Sequence, residues 1–121
     1  MNRRLLRIND RIQRELSDLL IRQVKDPRLA SMITITAVET STDLRFARVF
    51  ISVLGTDEEK KTVLSGLRSA TRFLRRELGE RIDIRRIPDL TWVHDDSIER
   101  GARILAILEG FPTGGGEAMT R

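Results

Sequence analysis

The stretch ITITAVETSTDLRFARVFISV, residues 33–53, decides the fold. In its first half Ile33, Ile35 and Ala37 alternate with Thr34, Thr36 and Val38; in its second, Ala47, Val49, Ile51 and Val53 alternate with Arg48, Phe50 and Ser52. Side chains two apart on a strand share a face, so each half predicts a strand with one buried side. Ser41, Thr42 and Asp43 between them bond readily to their own backbone, which predicts a turn and an antiparallel hairpin. Phe46 and Phe50 fall on one strand face, expected to lie under a helix.

On the upstream side, residues 4–25 predict one amphipathic helix. Leu5, Ile8, Ile12, Leu16, Leu19 and Leu20 recur at three- and four-residue spacing, the period of a core-facing stripe. At about 100° per residue, Arg4, Arg7, Arg11, Arg14, Arg22 and Lys25 gather on another face, interrupted by Asp18. Asp26-Pro27 ends the helix, because Pro disfavours helical geometry in the residue before it.

Downstream, Thr56-Asp57-Glu58-Glu59 has capping-box spacing and opens a helix to about Leu78, or to about Arg81 if Gly79 does not cap it. Val63, Leu67, Ala70, Leu74 and Leu78 form its apolar stripe, with Lys61, Arg68, Arg72, Arg75 and Arg76 opposite. Pro88 breaks the chain, and residues 90–94 predict a short strand. Asp95, Asp96 and Ser97 offer N-cap side chains for a last helix through Leu108, carrying Ile98, Leu105 and Leu108. Gly110 and Pro112 stop it. The reading is one α+β domain over residues 1–110, helix-strand-strand-helix-strand-helix, and a disordered tail over 111–121.

The charge pattern points to a polyanion. The chain has 121 residues and 22 Lys+Arg against 18 Asp+Glu, a formal net charge of +4. Residues 1–25 carry seven cations and three acids, residues 68–86 the same, and the remainder is net acidic. Two basic segments set against an acidic rest predict a polyanion-binding face. The cations are overwhelmingly Arg, whose planar fork holds phosphate bidentately, although a GC-rich genome favours Arg codons as well.

Much chemistry is absent from the sequence. With no Cys there is no disulfide, thiolate metal site or Cys nucleophile, and the single His94 has no second His to pair with. No apolar run is long enough to span a bilayer and no signal-peptide core is present; acids soon break the Arg-rich start. A cytoplasmic protein is expected. His94-Asp95-Asp96 is the one cluster resembling a catalytic or metal site, but adjacent side chains on an extended segment alternate in direction. Walker, G-x-G-x-x-G and G-x-S-x-G motifs are missing, so no enzyme, cofactor or small-molecule substrate is expected. A KH module would carry G-x-x-G, and no two glycines here are three apart.

The stretch DPRLASMITITAVETSTDLRFARVFISVLG, the segment LRSATRFLRREL and the segment RIDIRRIPDLTWVHDDSIERG together resemble the ribosome-binding factor A family over about residues 3–109. The most specific matches are Asp26-Pro27-Arg28, Ser41 with Asp43-Leu44, Arg85 with Pro88-Asp89-Leu90, and Asp95-x-Ser97 with Gly101. The resemblance implies a type-II KH-like fold without the G-x-x-G loop. In that family an Ala-x-Gly kink between helical segments stands in for the loop; Ala70, Thr71 and Arg72 occupy it here, so Arg replaces the glycine. A surviving kink would pack Ala70 tightly against a neighbouring helix. The resemblance also implies binding to the free 30S ribosomal subunit, help in late 16S rRNA maturation including 5′-end processing, cold growth, and no catalytic activity.

Residues and resemblance together nominate Arg4, Arg7, Arg11 and Arg14 on the first helix and Arg68, Arg72, Arg75 and Arg76 around the kink as phosphate ligands. Arg85 and Arg86, before the third strand, join them, with a structural role for Arg85 as the other reading. A monomer is expected. The alternative is a protein-interaction module whose basic face meets an acidic partner.

Overall fold

The computed structural model describes residues 3–23 and 33–110 and, at 98–100, 102, 103 and 106, the backbone alone. Its elements are α1 (Arg3–Gln23), β1 (Ile33–Thr40), β2 (Phe46–Val53), α2 (Asp57–Arg81), β3 (Asp89–His94) and α3 (Ser97–Leu108). This is the predicted α+β order. Asp26-Pro27 and the tail 111–121 lie outside the described residues.

The hairpin turn is built from its own polar side chains. Asp43 Oδ1 accepts from the Ser41 hydroxyl at 2.7 Å and from the Arg45 N–H at 3.1 Å, while Ser41 Oγ accepts from the Phe46 N–H at 3.1 Å. These bonds hold Leu44 at φ 63°, in the left-handed region that an L side chain rarely adopts. β1 and β2 pair antiparallel; β3 adds to β2 in parallel, the crossover that needs an intervening helix, here α2.

One feature of β1 departs from simple alternation. Between Ile35 and Ala37 the register slips, so the residues after Thr36 change face. Ile35 and Val38 are therefore buried, and Ala37, expected on the core face, is only half-buried. At the slip, Thr36 Oγ1 donates to Asp95 Oδ2 at 2.7 Å.

α1 packs on β1 and α2, and α2 packs on β3, so both helices cover the same sheet face. Ile12, Leu16 and Leu19 of α1 meet Val49, Ile51 and Val53 of β2 and Leu74 and Leu78 of α2, all nearly free of solvent. Each such side chain contributes about 1.5–3 kcal/mol by leaving water. Phe46 and Phe50 point from the opposite face, and Phe46 is 55% exposed. The helix cover expected over it is therefore not there.

α2 starts as predicted, with a complete capping box: Glu59 N–H to Thr56 Oγ1 at 3.1 Å, and Thr56 N–H to Glu59 Oε1 at 2.7 Å. It runs past Gly79 to Arg81, and Ala70, Thr71 and Arg72 are helical like their neighbours. The helix continues through the three positions, consistent with Arg standing where the family has its permissive glycine. Ala70 is half-buried and lines an open apolar groove, so the tight packing expected of it is not found. At the start of α3 the first helical N–H is met by Asp95: its Oδ1 accepts from Ser97 N–H at 2.9 Å.

Candidate nucleic-acid interface

Three hydrogen bonds fix which basic residues share a neighbourhood. Asn9 Oδ1 accepts from the Thr40 N–H at 2.9 Å, placing the first half of α1 at the end of the sheet where β1 turns into β2. Asp89 N–H donates to the Arg45 carbonyl at 2.9 Å, placing the loop between α2 and β3 at that same end. Arg11 reaches the Arg81 carbonyl at 2.8 Å, joining α1 to the end of α2. The first turns of α1, the hairpin turn and the loop 82–88 thus gather Arg4, Arg7, Arg45, Arg85 and Arg86 at one end, all exposed. Among the described residues none of these five guanidinium groups has an ion pair.

Arg11 and Arg75, nominated as phosphate ligands, do other work. Arg11 donates from Nε to Glu15 at 3.1 Å as well as to the Arg81 carbonyl. Arg81 in turn bonds Glu15 at 3.1 Å and Asp18 at 2.7 Å, and Arg22 bonds Asp18 at 2.8 Å. These guanidinium groups hold the Glu15 carboxyl below its ordinary range, Arg81 foremost and then Arg11; Asp18 is lowered by Arg81 and then Arg22. The network clamps α1 to α2. Arg75 donates from Nε to the Pro88 carbonyl at 3.0 Å and from its terminal nitrogen to Ile87 O at 2.8 Å, and lies 3.2 Å from Asp89. It positions the loop that carries Arg85 and Arg86.

The other nominated residues keep their forks accessible. Arg14 is paired to Asp10 only at 3.6 Å, with both side chains at least 70% exposed. Arg76 lies over the half-buried Phe73 ring, 5.6 Å from its centroid. Arg68 and Arg72 are exposed, and Arg68 with Thr71, Leu90, Thr91 and Trp92 lines a cleft of about 390 Å³ beside β3. Thr71, inside the kink motif, is the anchor there: its hydroxyl donates to Leu67 O and accepts from Trp92 Nε1, both at 2.8 Å. Of the α2 cations, Arg68 borders β3 and Arg75 the loop before it, whereas Arg76 lies over Phe73, whose ring lines the groove toward α1. The basic end is what joins α1 to the loop.

The far end of the sheet has the opposite character. An apolar groove of about 490 Å³ runs between the last turn of α1 and the first half of α2, and Glu58 and Glu59 are its charged lining residues. His94 is exposed at the end of β3, and Asp95 beside it is engaged by Thr36 and Ser97. No group of three His, Cys, Asp or Glu that could hold a metal occurs among the described residues. No helix among them is long and apolar enough to cross a membrane. Sequence reasoning passed over Arg45, which lies on no helical stripe, and set Phe46 aside as covered by a helix; the adjacency of Arg and an aromatic was the available signal.

The fold and this charge distribution define a small two-layer α+β module with cations concentrated at one end. Residues 4–108 match the family model described as ribosome-binding factor A. A ribosome-binding factor A from Acetivibrio thermocellus is 47% identical over 105 residues, covering 87% of this chain and 85% of that one. One from Thermosynechococcus vestitus is 44% identical over 107 residues, covering 88% and 85%. Among solved structures, a Thermotoga maritima protein described as a putative ribosome binding factor A aligns with TM-score 0.67 and 33% identity, over 82% of this chain and 95% of that one. A homology model of the Thermus thermophilus factor, fitted into a cryo-electron-microscopy map of a 30S complex, aligns with TM-score 0.61 and 28% identity, over 73% and 91%. The chain belongs to the ribosome-binding factor A family.

Proposed function

We propose that this protein binds the free 30S ribosomal subunit, with its basic end on 16S rRNA, and assists late maturation of that RNA, including 5′-end processing. The observation that supports it most is the gathering of Arg4, Arg7, Arg45, Arg85 and Arg86 at one end of the sheet without ion pairs among the described residues. Guanidinium groups so placed suit phosphate oxygens, which fix position and orientation without reading sequence. Arg14, Arg68, Arg72 and Arg76 extend the basic surface along the helices. The protein works as a cytoplasmic monomer, with no metal, cofactor or bond chemistry of its own. By binding one arrangement of the rRNA better than others it shifts the population toward it.

The test is co-sedimentation with purified free small subunits and with assembled ribosomes. The parent protein travels with the free subunits. A variant with Arg4, Arg7, Arg85 and Arg86 replaced by Gln melts with the parent and stays in the supernatant. If that variant sediments as well as the parent, the basic end is not the contact. If cells lacking the protein show no 5′-extended 16S precursor at low temperature, the maturation role is withdrawn.

A further inference from the structure

We infer that the exposed Phe46 ring and the Arg45 guanidinium form a stacking platform for an unpaired base of single-stranded RNA, with Arg85 and Arg86 holding the flanking phosphates. The inference rests on the rRNA-docking reading and specifies the form of RNA that the basic end accepts.

Three phenylalanines carry an arginine over the ring, and they are not alike. Arg48 lies 5.6 Å from the Phe50 centroid but is held by Glu39 at 2.7 Å, and Phe50 is half-buried. Arg76 lies 5.6 Å from Phe73, which is half-buried on α2. Phe46 is 55% exposed, and Arg45, 5.9 Å from its centroid, has no ion pair among the described residues. At the outer limit of cation–π reach, this contact is loose enough for a base to take the ring or stack on the guanidinium plane.

The two acids beside Arg45 and Phe46 are already engaged. Asp43 accepts from Ser41 and from the Arg45 N–H, and Asp89, directly across from Phe46 in the sheet, pairs with Arg75. Arg75 also fixes the Ile87 and Pro88 carbonyls, so Arg85 and Arg86 stay within a few residues of the platform. An exposed aromatic face beside a free guanidinium, with further cations on the adjoining loop, is the combination that binds single-stranded nucleic acid with little sequence preference. A duplex hides its base faces in its own stack and cannot use Phe46.

The experiment measures anisotropy of a fluorescein-labelled single-stranded RNA of about 12 nucleotides and mixed sequence, beside a duplex of equal length. The full chain is used, as parent, Phe46→Leu, Phe46→Tyr and Arg85→Gln/Arg86→Gln. Expected is tighter binding of the single strand than of the duplex. Phe46→Leu, which keeps apolar bulk but has no π face, weakens single-strand binding about tenfold with the melting point unchanged, and Phe46→Tyr retains it. The double Arg variant lowers the single-strand salt slope by about 1.4 units. Single-strand binding of Phe46→Leu equal to the parent's overturns the platform, as does parent binding to duplex as tight as to single strand. Loss of subunit co-sedimentation by Phe46→Leu with intact RNA affinity also overturns it, placing a protein on Phe46. A parent that sediments with free subunits yet ignores both RNAs sinks the platform alone; a parent that fails to sediment removes the docking reading beneath it.

Discussion

Arg75 satisfies two carbonyls and a carboxylate with one fork, and so sets where the loop before β3 lies. Replacing it by Gln leaves the Ile87 and Pro88 carbonyls short of donors in a partly buried place, at a cost of about 1–3 kcal/mol. A urea midpoint unchanged from the parent's would show that the loop holds itself. Arg7 is the contrast. It is exposed and contributes nothing to the clamp, so Arg7→Gln stays within about 0.5 kcal/mol of the parent in the same measurement. Both residues sit on predicted cationic faces, and the sequence offered no means to tell them apart. What separates them is a partner on another element, which periodicity does not encode. Thr40 poses a converse case: its residue is 7% exposed and Oγ1 has no hydrogen-bond partner among the described residues. Thr40→Val keeps the branched shape and removes the orphaned hydroxyl, so it is expected to stabilise by about 1 kcal/mol, read as a higher melting temperature.

At the scale of elements, local rules carried far. The hairpin turn, the capping box and the apolar stripe of α1 were legible because each depends on residues within a few positions of one another. The slip in β1 was not, since alternation does not encode where a register shifts, and the Thr36–Asp95 bond beside it spans 59 positions. The α1–α2 clamp was hidden for the same reason, Arg11 and the Arg81 carbonyl being 70 positions apart. The clamp has a pH signature. Glu15 and Asp18 have folded-state pKa values below their ordinary ones, so the unfolded chain takes up protons first as pH falls. Their contribution is therefore full above the ordinary carboxylate range, near pH 4, and fades as pH drops through the lowered values. Arg81→Met removes the leading cause of both shifts, and should flatten the acid limb of a stability-against-pH curve below about pH 5. An acid limb identical to the parent's would mean that the clamp closes without its charges. Packing between the same helices leaves room elsewhere: Ala70 borders the apolar groove, so Ala70→Val adds contact in open space and changes the melting temperature little.

The whole molecule is electrically polar, and that property reaches beyond any single contact. β2 runs from Phe46 at the basic end to Val53, after which Asp57, Glu58 and Glu59 open α2 with acids at its positive dipole end. Net charge alone, +4, understates this separation. A polyanion is drawn to the basic end, which orients the protein before contact. Segment charges in the sequence revealed two basic stretches but not their geometry, because the α2–β3 loop and the hairpin turn meet the first half of α1 only in the folded chain. With Arg11 and Arg75 bound internally, Arg4, Arg7, Arg14, Arg45, Arg85 and Arg86 remain for phosphates near that end. About six contacts predict a salt slope near −4 on single-stranded and near −5 on duplex-like rRNA, an affinity loss of about 10²–10³ between 50 and 200 mM salt. Binding to free small subunits, measured by sedimentation across that salt range, should follow this line, and scrambling exposed RNA sequence with the fold kept should matter little. The Arg4, Arg7, Arg85, Arg86→Gln variant should lose about three to four units of slope, whereas Arg11→Gln should change the slope by less than one. Equal slopes for the two variants would mean that Arg11 leaves its clamp to reach the RNA, and that α1 moves relative to α2 on binding.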